Sequence, residues 1–217
     1  MAGRSVEDRL REEYFDLLPD IRLVTEHLET EVRHCLLPIR RTLHKHEQMT
    51  VTARVKACDS AVNALRRRQE GRTFNLDRPE EYTLTALNDL AGVRVLAFPP
   101  NRMAEIDLML RDRFPDWTSD PVRGDDESDA PLAFKYFGYC NAISKIRGEF
   151  QIMSMLIGLF WEVEHSAIYK PTREFIGVAG SLEMREHKRD VHSALRSFEV
   201  AFEKMVREAK AKSERPS

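Results

Sequence analysis

Apolar residues recur at helical spacing near both ends of the chain. The pattern predicts one helix over residues 5–18, interrupted at Pro19, and a second over residues 20–45, which Pro38 should kink or end. A long, highly charged helix is predicted over residues 181–210, with one face packed and the other solvated. The ends of the chain are therefore expected to be helical.

Between these helices, apolar and polar residues alternate with the period of a β-strand. Strands are predicted in residues 49–56, 87–98 and 117–121, and a strand or strand pair in residues 134–146. Helices are predicted to separate them in residues 59–68, 80–87 and 102–114. Arg54 and Lys56 share the polar face of the first strand, whereas Asp89 lies at the mouth of the second and Arg94 within it. A mixed sheet flanked by helices is consistent with this order.

Residues 148–170 change period within one segment. They begin as a strand, with Glu149 and Gln151 on one face, and continue as a helix with Ser154 at the N-cap position. The apolar stripe of this helix consists of Met155, Leu159 and Val163, widened by Leu156, Phe160 and Trp161. Glu149 therefore has two interpretations. It is either a solvent-facing strand residue or a cleft residue that binds a metal or a substrate group.

Composition restricts the class of protein. The 217 residues include 34 Lys or Arg and 36 Asp or Glu, so whole-protein attraction to nucleic acid or membrane is not indicated. The three cysteines, Cys35, Cys58 and Cys140, form no CxxC pair, which fits a reducing cytosol. No apolar signal region or membrane-spanning run is present, so a cytoplasmic location is expected. We expect one compact domain with an N-terminal helical segment (1–48), a core (49–171) and a C-terminal helix (172–217).

The polar residues on the predicted strands suggest a phosphoryl-transfer site. Two acids from different strands, Asp89 and Glu149, suit Mg²⁺, which uses one or two carboxylates together with substrate phosphates. Cations on neighbouring strands would neutralise a triphosphate, and an aromatic residue beside a glycine could stack on a base. No Walker A, GxGxxG, HRD, DFG or GxSxG motif occurs, which excludes P-loop enzymes, protein kinases and serine hydrolases.

Four motifs resemble the synthetase domain of the RelA/SpoT family, which includes stand-alone small alarmone synthetases. They are RVKACDS from Arg54, DLAGVRV from Asp89, KYFGY from Lys135, and the long motif from Glu149 to Lys170. The last motif is similar to the family's ExQIRT followed by WxxxEHxxxYK. The resemblance covers roughly residues 14–170, and the motifs occur in the family's order.

The resemblance implies an α+β, nucleotidyltransferase-like fold: a mixed β-sheet flanked by helices, with N-terminal helices and a long C-terminal helix. It also implies Mg²⁺-dependent transfer of pyrophosphate from ATP to the ribose 3′-hydroxyl of GDP or GTP, as in the stringent response. Asp89 and Glu149 would then be the catalytic and metal-binding residues, with Glu149 as ligand or base. The other implied roles are ATP binding by Arg54 and Lys56, acceptor binding by Lys135, Tyr139 and Gln151, and support by Arg94, Glu164, His165 and Lys170.

Departures from the family pattern leave the acceptor open. The pattern NGYxSxH reads FGYCNAI from Phe137, Met153 takes the place of the QIRT arginine, and a helix lysine is replaced by Ala64. One alternative acceptor is the 3′ end of tRNA, as in toxic small alarmone synthetases, with the basic runs 40–45 and 66–68 holding RNA phosphates. Another alternative is a catalytically weak regulatory member. A homo-oligomer and an antitoxin partner are possible in this family, whereas no HD hydrolase motif is present.

Overall fold

The computed structural model describes residues 5–123, 131–140, 144–164 and 181–213. An N-terminal helical segment is followed by strands and helices, with three strands in succession before the last two described helices. In chain order they are α1 (Val6–Cys35), α2 (Leu37–Thr42), β1 (Gln48–Val55), α3 (Cys58–Arg67), β2 (Ala91–Phe98), α4 (Arg102–Arg113), β3 (Thr118–Ser119), β4 (Ala133–Gly138), β5 (Gly148–Ser154), α5 (Met155–Glu164) and α6 (Leu182–Ser213). No helix within these described ranges combines the length and apolar character needed to cross a membrane.

The five strands form one mixed sheet in the order β1-β2-β5-β4-β3. β2 and β5 are parallel, and the other three neighbouring pairs are antiparallel. The sheet is flanked by helices and the chain ends in the long helix α6, so the predicted α+β class and helical C-terminus are confirmed. β5 is the last strand in sequence, yet it lies in the middle of the sheet.

Helices α1 and α4 cover one face of the sheet and form the main core with it. The fully buried side chains at this contact are Leu28 and Val32 of α1, Ile106 and Leu110 of α4, and Val95, Phe150 and Ile152 of the sheet. The first half of α1 packs instead on α3 and the segment before β2. There the Tyr14 hydroxyl donates to the backbone carbonyl of Lys56 at 2.8 Å, and the Lys56 amide donates to the Leu90 carbonyl at 2.9 Å. These contacts hold the end of β1 beside the start of β2.

Helix α1 continues through Pro19, so the predicted interruption there is wrong. A proline inside a helix removes one backbone hydrogen bond and costs about 3 kcal/mol. Pro19 and Phe15, whose carbonyl loses its partner, lie on the exposed side of α1, where water can replace that bond. Leu10 and Ile21, on either side of the proline, are fully buried, and such side chains contribute about 1.5–3 kcal/mol each. The shared core therefore keeps the helix continuous, whereas Pro38 does separate α1 from α2 as predicted.

The helix predicted over residues 80–87 is also wrong. This segment forms two 3₁₀ turns, Pro79–Glu81 and Leu84–Ala86. Glu13 of α1 accepts a hydrogen bond from the Leu84 amide at 2.9 Å, and Leu84 is fully buried. This tertiary contact satisfies a backbone group that a continuous helix would have used internally.

Helix α5 places a different face on the sheet from the one predicted. Leu159 is 48% exposed and Val163 is 64% exposed, although both belong to the predicted apolar stripe. The buried residues are Met155, Ile157 and Gly158. A Cβ atom on Gly158 would overlap side chains of β2 and β5, so the glycine allows the helix backbone to approach the sheet closely.

Candidate functional site

The second face of the sheet carries two rows of side chains, one residue from each of four adjacent strands. The first row, read across β1, β2, β5 and β4, is Arg54, Gly92, Glu149 and Phe137. The second row is Thr52, Arg94, Gln151 and Lys135. Strand alternation predicts that Arg54 opposes the apolar face and that Glu149 and Gln151 share a face, and the register agrees with both.

Helix α5 covers one end of this face, and a glycine leaves a gap nearer the other end. Beyond the second row the side chains become apolar, and Leu96 and Met153 are buried together with Met155 of α5. In the first row, Gly92 has no side chain between Arg54 and Glu149. A Cβ at this position would lie 3.6 Å from the Arg54 carbonyl oxygen and 3.9 Å from that of Glu149, so the backbone leaves room for one. The glycine thus leaves a gap flanked by a cation and a carboxylate.

Glu149 is buried, with 3% of its surface exposed, so its interpretation as a solvent-facing residue is wrong. Its carboxylate lies 3.1 Å from the ammonium group of Lys135 and accepts a hydrogen bond from Gln151 at 2.8 Å. Burial raises the pKa of Glu149, Lys135 opposes this shift, and the nearby charge of Asp89 adds to it. A raised pKa makes the carboxylate a better proton acceptor than an exposed glutamate.

Asp89 lies on the short loop before β2 and forms an ion pair with Lys56 at the end of β1. Burial alone would raise the pKa of Asp89, but Lys56, Arg54 and Lys135 outweigh burial and lower it. Asp89 also raises the pKa of Glu149, which means that the two carboxylates interact. The structure therefore brings together five charged residues that were predicted to form the site and that come from four parts of the chain: Arg54, Lys56, Asp89, Lys135 and Glu149.

A cleft of about 1380 Å³ opens above this face. Among the predicted site residues, those that line it are Arg54, Lys56, Asp89, Arg94, Gln151 and Glu164. The described residues around it include nine Arg or Lys but only four Asp or Glu, so the cleft favours a polyanion. Glu149 lies beneath its surface, in contact with Gln151.

The predicted supporting residues differ in what the structure gives for them. Arg94 donates a hydrogen bond to Glu162 of α5 at 3.0 Å, and burial lowers the pKa of the arginine. Glu164 pairs with Lys188 of α6. His165 and Lys170 lie outside the described residues.

Helix α6 contributes a wall of the cleft with the side chains that were predicted to form a solvated face. Its lining residues are Arg185, Lys188, Arg189, Asp190, His192, Ser193 and Arg196. The basic members recur at spacings of three or four, which places them on one side of a helix. The spacing of these basic residues is visible in the sequence, but periodicity alone does not show which surface of the protein the stripe faces. Of the residues in the two basic runs, 40–45 and 66–68, only Arg67 lines the cleft.

Helix α6 is anchored to the sheet by a polar contact and an aromatic cluster. Ser154, at the end of β5, donates a hydrogen bond to the buried carboxylate of Glu199 and accepts one from the Ile157 amide at 3.3 Å. Phe202 of α6 packs on Phe98 of β2, with ring centroids 4.9 Å apart. These contacts position the basic stripe over the cleft.

Tyr139 lies at a second, smaller cavity of about 860 Å³ and does not line the large cleft. This cavity is lined by Thr85, Asp116, Trp117, Thr118, Phe137, Gly138, Tyr139, Ser144, Lys145 and Arg147. Phe137 opposes Glu149 across β4 and β5, while Gln151, two residues along β5, lines the large cleft. Glu149 therefore contacts one residue of the cationic cleft and is paired in register with one residue of the aromatic cavity.

The two carboxylates are oxygen donors of the type that Mg²⁺ prefers. The described part of the chain contains no group of three or more His, Cys, Asp or Glu side chains arranged to hold a metal. Asp89 and Glu149 are two interacting carboxylates beside a polyanion cleft, and Mg²⁺ binds with one or two carboxylates plus substrate phosphates. These two residues could hold Mg²⁺ if Lys56 and Lys135 turned toward the phosphates.

Comparison with solved structures identifies proteins of the same fold. The small alarmone synthetase 1 from Bacillus subtilis matches with a TM-score of 0.67 and 17% sequence identity, over 92% of this chain and 99% of that one. The same protein bound to AMPCPP matches with a TM-score of 0.64, and bound to its product pppGpp with 0.66. A GTP pyrophosphokinase family protein from Streptococcus pneumoniae matches with a TM-score of 0.66 and 18% identity, over 94% and 98% of the two chains.

No protein-family model matches the chain, and no curated protein matches it in sequence. The solved structures share fewer than one residue in five with it, so the likeness establishes the fold. The chain has the fold of the small alarmone synthetases along most of its length, and the fold implied by the sequence motifs is confirmed.

Proposed function

We propose that the protein is a Mg²⁺-dependent pyrophosphokinase that transfers pyrophosphate from ATP to the ribose 3′-hydroxyl of a guanine nucleotide. The observation that carries this proposal is the position of Glu149, a buried carboxylate that contacts Gln151 of the cationic cleft and is paired in register with Phe137 of the aromatic cavity. A transfer between two bound substrates requires that the donor and the acceptor be held close together in the correct orientation. The structural likeness to a synthetase bound to AMPCPP and to pppGpp supports the same pair of nucleotides.

In this mechanism the large cleft holds ATP, with Arg54 and Lys56 on its phosphates. Asp89 would hold Mg²⁺, which supplies charge neutralisation and orients the phosphates when bound, and Glu149 would serve either as a second ligand or as the base. The acceptor 3′-oxygen forms a bond to the β-phosphorus, the bond from that phosphorus to the α–β bridging oxygen breaks, and AMP leaves. As the base, Glu149 accepts the proton of the attacking hydroxyl, a role that its raised pKa favours. Tyr139 would stack on the acceptor base.

A second acceptor, the 3′ end of tRNA, is favoured by one observation. The cleft has more cations than a nucleoside triphosphate has charges, because α6 and Arg67 add to those of the strands. A longer polyanion would use the excess.

The deciding experiment uses ATP labelled on its β- or γ-phosphate, Mg²⁺, and GDP, GTP or deacylated tRNA in parallel reactions. Label on GDP or GTP supports the proposal, and label on tRNA supports the second acceptor. The Glu149→Gln variant is the comparison and should transfer label at least about 10²-fold more slowly than wild type. Absence of label on every acceptor would overturn the catalytic proposal and leave a regulatory nucleotide-binding protein.

A further inference from the structure

Arg147 joins the aromatic cavity to the loop that carries Asp89. Its guanidinium lies over the ring of Tyr139, with the guanidinium carbon 5.2 Å from the ring centroid. The same group donates a hydrogen bond to the side-chain oxygen of Asn88 at 2.8 Å. Asn88 is the residue before Asp89, so one arginine contacts both sides of the site.

An arginine can make both contacts at once because its guanidinium is planar and has several donors. The flat face stacks on an aromatic ring while the edge donates hydrogen bonds, whereas a lysine ammonium cannot provide this combination. The backbone around this arginine is also tightly constrained. A Cβ on Gly148, the next residue, would lie 3.0 Å from Leu28 and 3.1 Å from Trp117. Arg147 thus projects from a fixed position.

Tyr139 keeps an open surface despite this contact. It is 49% exposed, and with Trp117 and Phe137 it lines the smaller cavity. A tyrosine side chain has two rotatable angles, so an exposed ring loses entropy when a ligand stacks on it. A guanidinium that already holds the ring removes part of that cost before the ligand binds.

We propose that Arg147 is a positioning residue for the acceptor base, a role that rests on the proposed function. Arg147 holds the ring of Tyr139 so that its exposed surface stacks on a purine. It also fixes the distance between that ring and the Asn88–Asp89 segment. The acceptor ribose is thereby placed at a set distance from the carboxylates.

The two tryptophans of the chain provide separate reporters for the two cavities. Trp117 lines the smaller cavity and Trp161 lines the large cleft. A Trp161→Phe background leaves Trp117 as the sole tryptophan, and titration with GDP then follows binding at the smaller cavity by fluorescence. The reciprocal Trp117→Phe background follows ATP at the cleft.

Arg147→Lys is expected to raise the GDP dissociation constant at Trp117 about tenfold, because a stacking contact and a charge-assisted hydrogen bond are both lost. The KM for the acceptor should rise similarly, with the KM for ATP within about twofold of wild type. Arg207→Lys, which changes an exposed arginine paired with Glu203 on α6, is the matched control and should change neither constant.

A double-mutant cycle separates this role from a general structural one. If Arg147 acts through Tyr139, Arg147→Lys should have no further effect on GDP binding in a Tyr139→Leu background. Equal effects in both backgrounds, an unchanged dissociation constant, or no response of Trp117 to any nucleotide would each overturn the role. Absence of transfer activity with an intact Trp117 response counts against the proposed function alone.

Discussion

Replacing Glu149 by glutamine removes a buried charge without changing the size of the side chain. In the wild type this carboxylate is 3% exposed and contacts Lys135 at 3.1 Å and Gln151 at 2.8 Å. A glutamine can accept a hydrogen bond from one of these groups, but it has no charge with which to hold Mg²⁺ strongly and cannot take a proton. Activity and stability should therefore respond in opposite directions.

Loss of a positioned general base lowers the rate by about 10²- to 10⁴-fold, which corresponds to about 3–5 kcal/mol in activation free energy. Initial rates of label transfer at saturating ATP and acceptor measure this loss for Glu149→Gln. The effect should fall on kcat, because the phosphate contacts of Arg54 and Lys56 remain. A variant that retains more than about a tenth of wild-type kcat would refute the catalytic assignment.

The stability of the same variant tests the electrostatics independently. The folded-state pKa of Glu149 is raised above its ordinary value of 4.5. The stability it contributes is therefore fully present below the unfolded pKa and is lost as pH rises through the folded pKa. Relative to wild type, Glu149→Gln should gain stability between about pH 4 and pH 8, by about 1.4 kcal/mol per unit of pKa shift. Urea unfolding at both pH values measures this gain.

Glu47 offers a matched control of opposite sign. Its side chain is 2% exposed and binds Arg102 at 2.7 Å, outside the two cavities. Burial opposes ionisation of Glu47, but hydrogen bonds from Arg102 and the His44 amide outweigh burial and lower its pKa. The stability that Glu47 contributes is present above its unfolded pKa and is lost in acid. The free energy of unfolding of Glu47→Gln should therefore drop further below that of wild type as pH rises. If Glu149→Gln also becomes less stable than wild type as pH rises, the attraction of Lys135 outweighs burial and our account of the Glu149 pKa is wrong.

Four further predictions concern two glycines, one cysteine and the basic stripe of α6. Gly92→Ala should lower the rate of label transfer about tenfold with an unchanged melting temperature, because the methyl group fits beside the backbone but fills the gap in the first row. Gly158→Ala should instead lower the unfolding free energy by about 1–3 kcal/mol, because its methyl group overlaps the sheet. Burial raises the pKa of Cys140 to about 11, so native protein should react with a thiol reagent at this site far more slowly than unfolded protein. Paired alanine substitution of Arg185 and Arg189 should weaken ATP or RNA binding and reduce its salt dependence.

Each of these predictions has a clear contrary result. The glycine variants control for one another, so equal losses of stability would contradict the different packing of the two positions. Rapid modification of all three thiols in native protein would contradict the burial of Cys140. An unchanged salt dependence of binding in the α6 variant would show that its basic stripe does not contact the ligand.

The alternation of polar and apolar residues was sufficient to predict the main strands and the side of the sheet on which their polar residues lie. It placed Arg54 opposite the apolar face and put Glu149 with Gln151, and the register confirms this arrangement. Alternation does not show, however, how deeply a side chain is buried. Glu149 is buried because β4 and Lys135 lie beside it, and that neighbour depends on strand order.

Helix boundaries were predicted less well, because local signals compete with tertiary packing. Pro19 is a strong local stop signal, yet burial on both sides of it keeps α1 continuous. The α5 stripe failed for a related reason: Gly158 carries no apolar signal, but its small size determines which face meets the sheet. The basic stripe of α6 was visible in sequence, whereas its position over the cleft depends on the Ser154–Glu199 contact.

The strand order has a consequence for synthesis of the protein on the ribosome. The cations of β1 and the carboxylate of Asp89 emerge first, and the aromatic residues of β4 follow, but the two groups share no strand pairing until β5 inserts between β2 and β4. A nascent chain that stops before Gly148 lacks both the connecting strand and Glu149. Products terminated before Gly148 should therefore consume no ATP, and the activity we propose would arise only after β5 has been made.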